Sequence, residues 1–214
     1  MIEKCAILAA GNSTRLPNKL LLPTQHGKVI DHAIRYALEH VKAQDIHLVL
    51  KPGSIVEAVM AQETEEEGYG EVIHQYYARG VCEAMKLCHD YEPRSNWLFL
   101  LGDNLFTEHT DLFRIESNSS LVGVVNVAKI KSSVTDLDGF DSDRGIWIRR
   151  GSFFTHAIAG GYVIRADDLK QVSWDGDLIN YFDRISAEPF LLDSSGLWRD
   201  LGTPDAYIEY WKGK

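Results

Sequence analysis

Through its first half the chain alternates short apolar runs with segments of helical period, and that alternation limits its fold more than any other feature. Residues 7–10, 46–50, 72–75 and 97–101 read as buried strands. Between them, residues 29–41 carry Ile30, Ala33, Ile34, Ala37, Leu38 and Val41 at helical spacing. Residues 54–66 follow a Pro52-Gly53 turn with Ser54 placed to cap a second helix, and residues 81–90 form a third. Strands separated by helices predict a mostly parallel mixed sheet with helices on both faces, a three-layer α/β fold. After Asp103 the texture changes. Residues 121–130, 145–149 and 157–164 look like strands with fewer helices between them, which predicts a mixed or antiparallel extension. No repeat, low-complexity tract or linker divides the chain, so one domain over 1–214 is expected, with 1–110 and 111–214 as its halves.

Composition narrows the partners. The 214 residues, 45% hydrophobic and 25% charged, suffice for one full core. A formal charge of −9 argues against nucleic acid or an anionic membrane, since both demand a basic face. No apolar run approaches the roughly 18 to 20 residues of a membrane span, and Met1-Ile2-Glu3-Lys4 leads into a strand rather than a signal peptide. Three cysteines give no disulfide framework and fit a reducing compartment, so the expected location is cytoplasmic. Cys82 and Cys88 with His89 match no common zinc spacing and read as core.

The first strand, Cys5-Ala6-Ile7-Leu8-Ala9-Ala10, delivers the loop Gly11-Asn12-Ser13-Thr14-Arg15-Leu16-Pro17-Asn18-Lys19. A phosphate cradle needs approachable backbone N–H groups, small residues and fixed positive charge. Gly11, Ser13 and Thr14 supply the first two. Arg15 can grip phosphate oxygens bidentately, and Lys19 adds a mobile point charge. The loop reads as a triphosphate clamp, although neither the Walker A spacing nor a dinucleotide G-x-G-x-x-G is present.

Ligands of open α/β sheets sit at the carboxyl ends of the strands, and Gly11, Gln75 and Asp103 all follow such ends. The apolar strand Trp97-Leu98-Phe99-Leu100-Leu101 finishes in Gly102-Asp103, where a carboxylate either reaches a bound ligand or makes an Asx-turn. Asp200 precedes Gly202-Thr203-Pro204, where Thr203 can cap a final helix opened by Pro204.

Taken together, Leu8-Ala9-Ala10-Gly11-x-x-Thr14-Arg15-Leu16 with Lys19-x-Leu21-Leu22-Pro23 resembles the signature of the sugar-phosphate nucleotidyltransferases, the nucleoside-diphosphate-sugar pyrophosphorylases. Leu101-Gly102-Asp103-Asn104-Leu105-Phe106 looks like that family's metal-binding segment, and Trp198-Arg199-Asp200-Leu201-Gly202-Thr203-Pro204 like its second one. The three motifs follow the family's order across nearly the whole chain. The resemblance implies the family's Rossmann-like fold and Mg²⁺ held by Asp103 and Asp200, a donor set that suits this ion once phosphate and water complete it. It also implies nucleotide contacts from Leu8, Ala10, Gly11, Asn12, Ser13 and Thr14, with Arg15, Lys19 and Asp103 as catalytic groups. Gln75 through Gly80 to Ala84 looks like the base-binding stretch of the thymidylyl and uridylyl members, which favours UTP or dTTP.

The implied reaction is attack of a phosphorylated acceptor on the α-phosphate of an NTP, with loss of pyrophosphate. The acceptor oxygen is already anionic, so alignment and charge neutralisation suffice without a general base. The acceptor side departs from the family. Its larger members hold the sugar phosphate with the lysine of a Glu-Lys-Pro segment, whereas this chain reads Arg144-Gly145-Ile146-Trp147-Ile148-Arg149-Arg150. Arg144, Arg149 or Arg150 stands in for that lysine, and with Gly145 and, from Gly160-Gly161-Tyr162, Gly160 these are the acceptor-side candidates. Ser13 stands where many members have glycine, and the short Arg15-to-Lys19 spacing resembles the CMP-sugar synthetases. A cytidylyltransferase for a phosphorylated alcohol or acidic sugar is therefore the alternative enzyme, and a nucleotide-sugar-binding regulatory subunit the alternative from another class. A homo-oligomer is compatible with the sequence. The carboxylate-rich stretch 136–143 lacks the spacing of a calcium loop and reads as an acidic hairpin turn. Residues 63–68 read as the exposed end of a helix.

Overall fold

The computed structural model describes residues 2–77, 79–106, 118–126, 137–192 and 198–212. Four parallel strands form its first half: β1 (Lys4–Leu8), β4 (Ile46–Leu50), β5 (Val72–His74) and β6 (Trp97–Leu101), in the order β6-β1-β4-β5. Between β1 and β4 lie a small hairpin of β2 (Pro23–Thr24) and β3 (Gly27–Lys28), and helix α1 (Val29–Leu38). Helices α2 (Ile55–Glu67) and α3 (Val81–Tyr91) follow β4 and β5. Ser54 caps α2 by accepting the Glu57 N–H, and Gly68 closes it in the left-handed region at φ 68°.

Alternation of side chains explains the layering. Cys5, Ile7, Leu48, Leu50, Leu98 and Leu100 pack on one side of the sheet with α1 and with Val56 and Met60 of α2. Ala6, Val49, Trp97 and Phe99 point the other way, onto Cys82, Ala84, Met85 and Cys88 of α3. Strands buried on both faces are continuous apolar runs, and that is how these four looked in the sequence.

The second half extends the same sheet with mixed polarity. The short β7 (Asn104–Phe106) leaves the main sheet, and β8 (Leu121–Asn126), β9 (Gly139–Asp141), β10 (Ile146–Ile148) and the long β11 (His156–Ile164) continue it. β11 runs antiparallel to β6, β8 and β9, and carries the sheet out to the edge strand β10. Helices α4 (Ala166–Leu169) and α5 (Leu178–Arg184) lead to β12 (Glu188–Leu191), which pairs parallel with β8. β13 (Trp198–Asp200) then pairs antiparallel with β7 in a separate two-stranded ribbon, and α6 (Pro204–Lys212) ends the chain, its first turn capped by Thr203. Among the described residues the sheet has nine strands and is thus mixed, with helices on both faces, as expected.

Some boundaries differ. The first strand ends at Leu8 rather than Ala10, though the Ala9 N–H still reaches Val49 O at 2.9 Å. The edge strand begins at Ile146 because Gly145 occupies the left-handed turn of the hairpin at φ 68°. The acidic stretch runs through β9 into that hairpin's turn, with Asp141 Oδ1 accepting the Asp143 N–H. Its residue 136, and residues 127–130 of the expected strand at 121–130, lie outside the described residues. All three cysteines are buried and free. Among the described residues no helix is long and apolar enough to cross a membrane.

Candidate active site

β1 and β6 are neighbours in register, Leu8 beside Leu101, so the loop after one and the carboxylate after the other emerge together. The Gly102 N–H donates to Leu8 O at 3.1 Å, and a Cβ on Gly102 would fall 3.3 Å from that same oxygen. Glycine is what lets the two chain ends approach this closely. The Gly11 loop then turns through two left-handed positions, Ser13 at φ 47° and Asn18 at φ 51°. It ends in a short 3-10 turn, Lys19–Leu21, anchored by buried Leu20. That turn brings the Lys19 ammonium onto Asp103 Oδ2.

Asp103 is held from its other side by the Asn104 amide, whose Nδ2 donates to Oδ1 at 3.0 Å. Asn104 is buried, and its own Oδ1 accepts the Trp198 indole N–H at 2.8 Å. The β7–β13 ribbon sets Asp200 opposite Asn104, and the Leu201 N–H donates to Asp103 O at 2.9 Å. The two carboxylates converge on Gly202. A Cβ there would fall 2.7 Å from Asp200 Oδ1 and 3.3 Å from Asp103 Oδ2. Burial and then the Asp103 charge push the Asp200 carboxyl above its ordinary range, while the Gly202 N–H, Lys19 and Arg15 pull it back. Two carboxylates thus close on one point, with the charges of Lys19 and Arg15 opposing them.

A cleft of about 200 Å³ opens above this floor. Its lining includes Leu8, Ala10, Gly11, Ser13, Lys19, Gln75, Gly80 and Asp103, eight residues singled out from the sequence. Gln75 and Gly80 form the far wall, where β5 hands over to α3. Exposed Asn12 turns to Lys51 instead, accepting its ammonium at 2.8 Å. Thr14 and Arg15 are exposed on the loop, and Arg15 acts on Asp200 through its charge. Gly160, at φ 67°, packs behind Leu101 and Asn104.

The remaining acceptor-side candidates stand apart from that lining. Arg144 and Gly145 occupy the β9–β10 turn, where Arg144 is exposed and 3.5 Å from Asp141. Arg149 reaches across to Asp177 at 3.1 Å and Asn180 at 3.0 Å, and Arg150 pairs with Asp138. Beside Asp177, Gly176 packs against Cys82 in the first turn of α3. Three residues that sequence reasoning passed over stand beside the site: Asn104, Trp198 and Glu83, which hydrogen bonds to Gln75. A polar side chain next to a candidate ligand was the available signal for Asn104.

Comparison with known proteins agrees with the geometry. The model of the MobA-like NTP transferase domain family matches residues 5–120, a span that runs from β1 past Asp103. A search of curated proteins finds no match. Among solved structures, one from Bacillus anthracis assigned as a glucose-1-phosphate thymidylyltransferase superposes with a TM-score of 0.78 at 22% identity, covering 97% of this chain and 93% of its own. A UDP-glucose pyrophosphorylase of Acinetobacter baumannii gives 0.77 at 17% identity, covering 98% and 92%. The inositol-1-phosphate CTP transferase of T. maritima gives 0.74 at 14% identity, covering 98% and 94%. At such identities the superpositions establish the shared fold, while the family assignment comes from the sequence model. Both agree with the resemblance read from the three motifs, and the chain belongs to the MobA-like NTP transferase domain family as a nucleotidyltransferase.

Proposed function

We propose that this chain transfers a nucleoside monophosphate from UTP or dTTP to a sugar 1-phosphate or similar small phosphorylated acceptor, releasing pyrophosphate. The observation that carries this reading is the meeting of Lys19 with Asp103 on the floor of a cleft walled by the Gly11 loop and by Gln75 and Gly80. Superposed proteins named for dTTP, UDP-glucose and CTP chemistry support an NTP and a phosphorylated acceptor in general. The strand-end amide of Gln75 favours a pyrimidine with a ring N–H.

The Gly11 loop would hold the triphosphate through backbone N–H groups, with Arg15 drawing negative charge toward the departing pyrophosphate. Lys19 neutralises charge near the α-phosphate. Asp103 and Asp200 would hold Mg²⁺, an ion suited to two carboxylates completed by phosphate and water, and when bound it supplies charge neutralisation during displacement. An acceptor phosphate oxygen forms the new bond to the α-phosphorus as the bond to the bridging oxygen breaks, and the electron pair leaves with pyrophosphate. The halves divide the work, 1–110 binding the nucleotide and 111–214 the acceptor, with Gly160 beneath it and Arg149 our preferred phosphate contact. Three free thiols fit a cytoplasmic location. The test is product identification by mass spectrometry after crossing UTP, dTTP, CTP, ATP and GTP with sugar 1-phosphates and phosphorylated alcohols. A UDP- or dTDP-sugar supports the reading, and a CDP-alcohol or CMP-sugar replaces it with the cytidylyltransferase alternative.

A further inference from the structure

Gln75 sits one residue beyond β5, where its backbone N–H donates to Leu50 O at 2.9 Å and its side chain is 5% exposed. Its amide nitrogen donates twice, to Gly80 O at 3.0 Å and to Glu83 Oε2 at 2.8 Å. Both neighbours are oxygens that only accept. Turning the amide over would set Oε1 against them, so one orientation is chemically possible. Both amide hydrogens are consumed by the protein. The carbonyl Oε1 has no protein partner among the described residues, and it belongs to a residue that lines the cleft.

Glu83 is buried as well. It is 2% exposed in the first turn of α3, and its Oε2 also accepts the Arg79 N–H at 2.7 Å. A buried carboxylate is expensive unless its bonds are needed, even with the helix N-terminus to favour it. Here its bonds lock the amide of Gln75.

We propose that Glu83 is a specificity-determining positioning residue, which makes Gln75 a pure hydrogen-bond acceptor toward the nucleotide base. Such a wall takes a base that offers a ring N–H, as uracil and thymine do at N3. Where that acceptor meets ring position 3 it disfavours cytosine, whose N3 is itself an acceptor and would leave two acceptors facing each other. The inference rests on the proposed reading in which Gln75 meets the base.

Equilibrium binding of UTP, dTTP and CTP, measured by calorimetry with Mg²⁺ present, tests it without needing the acceptor. Wild-type protein binds UTP or dTTP more tightly than CTP. Glu83→Gln is isosteric and keeps an acceptor for Arg79, but its own N–H groups tolerate a turned Gln75, so the preference falls about tenfold. Glu83→Ala gives a second route to the same loss, and thermal melting shows whether each variant is folded. If both folded variants keep the wild-type preference while Gln75→Ala loses it, Glu83 merely caps α3 and the inference fails alone. If Gln75→Ala also keeps the preference, Gln75 does not read the base and the reading beneath the inference fails with it. A wild-type preference for CTP overturns the assigned polarity directly.

Discussion

The Trp198 indole N–H donates to Asn104 Oδ1 at 2.8 Å, and the same Asn104 side chain donates to Asp103 Oδ1 at 3.0 Å. The chain end that carries Asp200 is thereby tied to the one that carries Asp103, through an amide whose two polar atoms are both used. Trp198 also reaches Ala159 O at 2.7 Å, which anchors the ribbon to β11. Trp198→Phe keeps the ring and removes the donor, leaving a buried acceptor unpaired. We expect a stability loss of about 1 to 3 kcal/mol in urea unfolding. Asn104→Ala is expected to raise the Mg²⁺ concentration needed for half-maximal turnover while leaving nucleotide preference unchanged.

Gly202 offers a sharper probe of the same floor. Its Cβ position lies within 2.7 Å of Asp200 Oδ1 and 3.3 Å of Asp103 Oδ2, so Gly202→Ala must push the carboxylates apart. A displacement of this kind costs up to roughly 10²-fold in rate. Steady-state kinetics should show that loss in kcat, with nucleotide affinity largely kept because the Gly11 loop is untouched.

Lys19 meets Asp103 on the floor of the cleft. Replacing it with methionine keeps most of the stem and removes the charge, and turnover is expected to fall by about 10² to 10³. The comparison that checks this is Lys19→Met against Lys51→Met. Lys51 hydrogen bonds to Asn12 on the outer side of the loop, and its loss should cost far less.

The thiols provide a control on the packing. Burial pushes Cys82 up to about 11 and raises Cys5 and Cys88 as well. The thiolate is the reactive form, so a chromogenic disulfide at pH 8 should leave all three untouched for minutes in native protein and titrate three per chain in denaturant. Rapid native reaction at any of them would contradict the described core.

The parallel half was legible because its strands are buried on both faces. Ala6 and Ile7, or Phe99 and Leu100, face opposite layers yet are equally apolar, so each strand reads as an unbroken run. The Gly11 loop and Asp103 were legible for the related reason that such strands end where ligands bind. The β7–β13 ribbon was not. Three-residue strands carry no measurable period, and the pairing of Asp200 with Asn104 joins segments far apart in the sequence. The arginines of β9–β10 could not be sorted for the same reason: alternation tells which residues share a face, and nothing local tells that Arg149 reaches Asp177. Glu83 was hidden by its position, since an acid in the first turn of a helix is ordinary until its partner is known.

The proposed catalysis sets Asp103 and Asp200 on one floor beneath a bound NTP. Pyrophosphate release should therefore be measured against Mg²⁺ concentration in wild type, Asp103→Asn and Asp200→Asn, with the nucleotide and acceptor that the product screen identifies. Metal-dependent release is expected in the wild type and losses of at least about 10²-fold in each variant, with melting temperature and NTP binding retained. Turnover at the wild-type rate in either folded variant would contradict it.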